Sequence, residues 1–302
     1  MKTRIISAAV GIVLLIAVLL CPYTVVLAVL LAALAALAVW ELLHATGRIG
    51  CRALTGGCMA FAALWVLLCY FWERAAKVIL FSGEERKPDG YSELFTLFVL
   101  LMLAFVVLIV LFGILLLLVA LRRHADTEVS AVGYAAFVTA YAAAGFGALA
   151  ALRELPQHGM LYVLIALIIP WMSDTGAYFV GTFLGRHKMT PVISPKKSWE
   201  GFFGGWAIAV GSAVLTGWLY HLITGQSGHY LPLAVLAFVL APLSVCGDLF
   251  ASVIKRQSGI KDYGHIMPGH GGVMDRFDSV IAIAPVLHLL LFLLIVFGQI
   301  AA

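Results

Sequence analysis

Between Asp248 and Asp278 the chain concentrates the residue types that handle phosphate and hard cations. Asp248, Ser252 and Lys255 follow one another at i, i+4 and i, i+3, so a helix through them presents a carboxylate, a hydroxyl and an ammonium on one face. Arg256, Lys261 and Asp262 come next. Then come Pro268-Gly269-His270-Gly271-Gly272 and Asp275-Arg276-Phe277-Asp278. Asp275 and Asp278 are again i, i+3, at the mouth of the last apolar run. Carboxylates on two facing helices make a hard-oxygen site suited to Mg²⁺, which typically takes one or two carboxylates plus substrate phosphates. The Gly-rich turn lets backbone approach a bound group, and the cations can neutralise phosphate oxygens. Four aspartates, four cations and a Gly-Gly turn have little purpose as packing alone. They suit phosphoryl or nucleotidyl transfer, where positioning and charge do most of the catalysis.

Two smaller clusters precede this one. Ser194-Pro195-Lys196-Lys197-Ser198-Trp199-Glu200-Gly201 leads into an apolar run. Ser198 and Gly201 suit a helix start, where free N–H groups favour an anion, and the two lysines add point charges suited to phosphate. No Walker loop is present, and positive topology with anionic headgroups would explain this cluster taken alone. In Trp171-Met172-Ser173-Asp174-Thr175-Gly176-Ala177-Tyr178, helical spacing puts Asp174, Ala177, Tyr178 and Gly181 on one face. A carboxylate in an apolar span is costly and marks function by default, although a polar helix–helix contact would also use Asp174. Glu41, beside His44 at a span end, reads as a structural hydrogen bond or a snorkelling carboxylate.

The elements that must position these groups are membrane helices. Of 302 residues, 63% are hydrophobic and 11% charged, and the mean hydropathy is +1.07. That excludes a soluble globular domain, a disordered chain and a disulfide scaffold. The five cysteines form no CxxC pair and read as small apolar side chains. Apolar runs long enough to cross a bilayer recur throughout. The expected fold is all-α and polytopic, with nine spans at 5–20, 23–43, 54–72, 94–121, 131–151, 160–181, 201–221, 231–250 and 279–299. Lys2 and Arg4 before 5–20 resemble a secretory signal, but no small-residue cleavage site follows, so this run is read as a retained span.

With nine spans, 14 of the 19 lysines and arginines fall on one side, which sets the N-terminus as cytoplasmic. The basic residues are scattered over several loops and give no nucleic-acid face. The mixed-charge stretch 73–93 reads as a solvated connection. Residues 1–155 form a scaffold of Leu, Ala and Val. Residues 156–302 form the catalytic region, with irregular cytoplasmic loops at 182–200 and 251–278.

The pattern Ser252-x-Ile254-Lys255-Arg256, Lys261-Asp262-x-Gly264, Pro268-x-His270-Gly271-Gly272-Val273-x-Asp275-Arg276-Phe277-Asp278 resembles the signature of the phosphatidate cytidylyltransferase (CDP-diacylglycerol synthase) family. Met267 is a conservative departure from the usual Leu, Ile or Phe. The resemblance extends back through the two smaller clusters and covers about residues 165–285; the first 150 residues match in character only.

The resemblance implies that phosphatidate and CTP give CDP-diacylglycerol and pyrophosphate with Mg²⁺, in a bacterial-type inner membrane with the site toward the cytoplasm. It places the metal at Asp248 and Asp275, with Asp278 as ligand or support, and leaves Asp174, in the substrate-binding set, to orient polar groups or a second cation. It implies that Ser252, Lys255 and Arg256 position phosphates, as do Ser194, Lys196, Lys197 and Ser198. Lys261, His270, Gly271, Gly272 and Arg276 join the substrate-binding set, with His270 positioning rather than accepting a proton. A homodimer is implied as well. Two rivals remain. A CTP-dependent lipid kinase would release CDP, and a cation transporter would use Asp174 and Asp248 without turning over CTP.

Overall fold

A computed structural model describes residues 11, 13–21, 23–47, 51–81, 89–156, 158–264 and 271–296. Eight long helices stand among them: α1 (Val25–Ala45), α2 (Arg52–Phe81), α3 (Asp89–Arg122), α4 (Val129–Glu154), α5 (Gly159–Leu184), α6 (Trp199–Thr224), α7 (Tyr230–Gln257) and α8 (Met274–Val296). Each contains a stretch long and apolar enough to cross a bilayer. The chain is therefore an all-α integral membrane protein. Of the first expected span, 5–20, residues 11 and 13–20 are helical, and the rest lies outside the described residues.

The chain divides into two compact units, Met1–Gln157 with Ile260–Arg276, and His158–Gly259 with Phe277–Ala302. Residues 260–276, grouped by sequence with the C-terminal region, thus belong with the first unit.

In the first unit, α2 packs against α1, α3 and α4, and α4 also packs against α1. Composition explains the difference between α3 and α4. The most apolar stretch of α3 is Leu-, Val- and Phe-rich, with a mean hydropathy of 3.4, and none of it is buried within the chain, as suits a helix solvated by hydrocarbon. Helix α4 is rich in Ala and Gly and is mostly buried. Its Gly147 admits Cys69 and Trp65 of α2, and a Cβ there would stand 2.9 Å from the Cys69 Sγ. Tyr134 of α4 donates to the Leu42 carbonyl of α1 over 3.0 Å.

In the second unit, α5 and α6 form the closest pair. A stripe of glycines makes this possible. A Cβ on Gly201 would lie 2.7 Å from the Ala177 carbonyl oxygen, and one on Gly205 would run into that of Ser173. Trp206 of α6 donates to the Phe238 carbonyl of α7 over 2.8 Å, and Gly247 of α7 takes Ser279 and Ala282 of α8 against its bare Cα.

The expected irregular loops prove more ordered. Between α5 and α6, β1 (Lys188–Thr190) pairs antiparallel with β2 (Ser194–Ser198), in register Lys188 to Ser198 and Thr190 to Ser194. Pro191 and Pro195, with clustered polar residues, made this stretch read as loop. Pro195 is tolerated because a two-stranded ribbon is all edge. Helix α7 runs on to Gln257, so Ser252 and Lys255, expected in the loop 251–278, are helical and share a face with Asp248. The connection at 73–93 is helical to Phe81 and again from Asp89.

At the far end of α5 from Asp174, the Nε2 atoms of His158 and His229 lie 3.1 Å apart. Burial and, for His158, the neighbouring His229 hold both imidazoles below the usual histidine range. Protonation therefore favours the unfolded chain. Stability is unaffected above about pH 7 and falls as pH drops through about 6.5, the unfolded value. The thermal midpoint in detergent should decrease between about pH 7.5 and about pH 5.5, and by less in His229→Gln.

Gly205→Val should cost about 1–3 kcal/mol through overpacking against α5. Gly211→Val, on the same helix with open space around its Cα, serves as control. Thermal unfolding of the two variants in detergent checks the contrast.

Candidate functional site

Within the second unit, four elements bring charged groups to one place. Helix α5 supplies Asp174, β2 supplies Lys197, α7 supplies Asp248 and Lys255, and α8 supplies Asp278. Lys197 Nζ forms an ion pair with Asp248 Oδ2. Asp174 lies within electrostatic reach of both Asp248 and Lys197. Asp278 feels Asp248, Asp174 and Lys255. It is only 7% exposed, and its Oδ1 accepts from the Ser279 N–H over 2.7 Å. Three carboxylates and two ammoniums thus share a neighbourhood, four of them on apolar helices and Lys197 on β2. Such a concentration of like charge calls for a positive partner. Ser252 stands one turn beyond Asp248 on α7, half-buried.

The hairpin that delivers Lys197 is fastened at several points. Ser198 is the N-cap of α6, and its hydroxyl accepts from the Gly201 N–H over 3.2 Å. Glu200 accepts from the backbone N–H groups of Arg186 and His187 at 3.1 and 3.2 Å, and lies 2.6 Å from His187 Nδ1. Trp199 N–H donates to the His187 carbonyl over 3.0 Å. Arg256 Nε donates to the Ile193 carbonyl over 3.2 Å, at the hairpin turn. Arg256, expected to bind phosphate, is therefore shown holding the hairpin. The Glu200 anchor was not anticipated; an acidic residue in the first turn of α6 was the available signal.

Beside this cluster lies a cavity of about 230 Å³. Asp174, Ser194, Lys196, Lys197 and Ser198 line it together with Tyr178, Phe202 and Val245. A ligand with a phosphate head and a hydrocarbon body suits such a mixed lining.

The first unit holds the remaining motif residues. Asp275 Oδ2 accepts from the N–H groups of Tyr263 and Gly272 at 2.8 and 3.0 Å, closing the turn at the head of α8. Gly271 takes φ +89°, the left-handed region that favours glycine. Glu41 of α1 is fully buried and accepts from the Val273 and Met274 N–H groups over 2.9 and 2.8 Å. Of the two readings of Glu41, the hydrogen bond holds and snorkelling does not. Lys261 and Arg276 are exposed, and His270 lies outside the described residues.

Among the described residues, no three His, Cys, Asp or Glu side chains are arranged as a ready-made metal cage. The donor chemistry nonetheless fits Mg²⁺, which keeps waters and substrate oxygens and needs only one or two carboxylates. Asp248 and Asp278 are the pair present in the second unit.

Lys197→Met leaves Asp248 without its counter-charge, and the variant should lose about 1–3 kcal/mol of stability. Lys197→Met combined with Asp248→Asn should cost less than the two separate losses added together. A double-mutant cycle read by thermal unfolding measures that coupling.

The comparisons with known proteins agree with this chemistry. Residues 2–294 match the cytidylyltransferase family. The phosphatidate cytidylyltransferase of Bacillus subtilis (strain 168) is 39% identical over 160 residues, which is 53% of this chain and 58% of that protein. Those of Staphylococcus epidermidis (strain RP62A) and Staphylococcus aureus (strain COL) are each 41% identical, over 138 and 140 residues, 46% of this chain and 52% of theirs. The aligned stretch thus spans between half and three-fifths of the curated relatives' length. With nearly its whole length matched and its carboxylates and lysines gathered at one phosphate-compatible site, the chain belongs to the cytidylyltransferase family.

Proposed function

We propose that this protein transfers CMP from CTP to phosphatidate, yielding CDP-diacylglycerol and pyrophosphate for phospholipid synthesis. One observation carries the reading: three aspartates and two lysines cluster beside a cavity lined by both polar and apolar side chains. The relatives' names point to the same substrates.

In the proposed reaction a phosphatidate phosphate oxygen attacks the α-phosphorus of CTP. The new P–O bond forms as the α–β bridge breaks, and the electron pair leaves with pyrophosphate. A phosphate monoester has a second pKa of about 6, so this nucleophile is already ionised near neutral pH and needs no general base. Lys197 and Lys255 bind phosphate oxygens and offset charge developing on the leaving group. Asp248 and Asp278 hold Mg²⁺, with Asp174 supporting them or taking a second cation; the bound metal supplies charge neutralisation at the phosphates. Tyr178, Phe202 and Val245 offer apolar contact to the glycerolipid body, and Ser198 holds the Lys196–Lys197 segment in place by capping α6. The hairpin end faces the cytoplasm, where CTP is available, in keeping with the bias of Lys and Arg toward that side.

The test uses purified protein in detergent with phosphatidate, labelled CTP and Mg²⁺. Pyrophosphate and a lipid-soluble cytidine product should appear together. Chelation by EDTA should abolish both, and added Mg²⁺ should restore them. Asp248→Asn should lose about 10²–10³-fold in kcat. Release of CDP, with phosphorylation of an offered polyprenol or diacylglycerol, would replace this reading with a lipid kinase. Cation movement across proteoliposomes without CTP turnover would replace it with transport.

A further inference from the structure

We infer that Glu41, on a helix outside the signature, is a positioning residue for nucleotidyl transfer: it fixes the turn from which α8 starts. The inference rests on the reaction proposed above. Both oxygens of Glu41 are engaged, Oε1 by the Val273 N–H at 2.9 Å and Oε2 by the Met274 N–H at 2.8 Å. Asp275 takes the preceding N–H, that of Gly272, over 3.0 Å. Two carboxylates therefore satisfy three consecutive amides at a helix start, which would otherwise lack partners away from water. Glu41 is 0% exposed, so its charge is tolerable only because these N–H groups and the positive end of the α8 dipole meet it.

The same contact explains two glycines of the signature. A Cβ on Gly272 would overlap the Glu41 carboxylate, and one on Gly264 would stand 2.6 Å from Oε1. These glycines leave room for a side chain that arrives from more than 220 residues earlier in the chain. The helix held in this way carries Asp275 in its first turn and Asp278 one turn further on. A small shift in its start moves both carboxylates, and a misplacement of about 1 Å can lower rate about 10²-fold.

The test compares Glu41→Ala, Glu41→Gln and Gly272→Ala as full-length protein in detergent, with rates taken per folded molecule. Glu41→Ala should lower kcat about 10²-fold while KM for CTP stays within about 2-fold. Glu41→Gln should lose less, because its amide oxygen still accepts one N–H while its NH₂ opposes the other. Gly272→Ala should resemble Glu41→Ala, and the double variant should be little worse than either single one. A role confined to stability predicts lower thermal midpoints with kcat per folded molecule unchanged, and that result overturns the proposal. Amide hydrogen exchange in the unmodified protein needs no variant to fold. Val273 and Met274 should be protected, and exchange at unprotected rates also overturns it. Wild-type protein that turns over no CTP on phosphatidate defeats the reaction instead, and the exchange measurement then still reports on the hold Glu41 has on the turn.

Discussion

Charge in an apolar chain must be answered locally, and that requirement organises what this protein does with its few ionised side chains. A carboxylate within a span has no bulk water to stabilise it. Lys197 answers Asp248, paired backbone N–H groups answer Glu41 and Asp275, and Ser279 answers Asp278. The contacts of Asp248, Glu41 and Asp275 also tie separate segments together. The same few groups therefore hold the structure and supply its chemistry, and replacing one affects both.

The rest of the fold supplies surfaces on which these pairings can form. Glycines at 201 and 205 bring α5 and α6 nearly into backbone contact, so Asp174 on one and the Ser198 cap of the other address the same cavity. The most apolar stretch of α3 stays unburied within the chain, a composition the bilayer solvates. Much of the chain's length thus serves solvation by the bilayer, and a smaller, glycine-rich part sets geometry.

Helix periodicity and polar spacing made much of this legible in advance. The apolar runs located the spans because nothing but a helix satisfies its own backbone in hydrocarbon. The i, i+4 and i, i+3 spacing of Asp248, Ser252 and Lys255 gave one shared face only if the helix continued past its apolar part; the loop was expected from 251, and α7 in fact runs to Gln257. The hairpin at 188–198 was hidden by its prolines and polar residues, which read as loop chemistry. Side-chain type cannot reveal that the Nε of Arg256 also meets the Ile193 carbonyl, 63 residues away. The partners of Glu41 were invisible for the same reason: a contact over 232 residues leaves no local pattern.

The bracing of the hairpin has a thermodynamic consequence for ligand binding. A lysine on a free loop must surrender backbone and side-chain freedom when it grips a phosphate, and that loss subtracts from affinity. Here the Glu200 bonds, the Ser198 cap and the Arg256 tie restrict the segment around Lys196 and Lys197 before any ligand arrives. The ordering entropy is settled during folding. Interaction energy at this ribbon then remains available to distinguish one phosphate geometry from another.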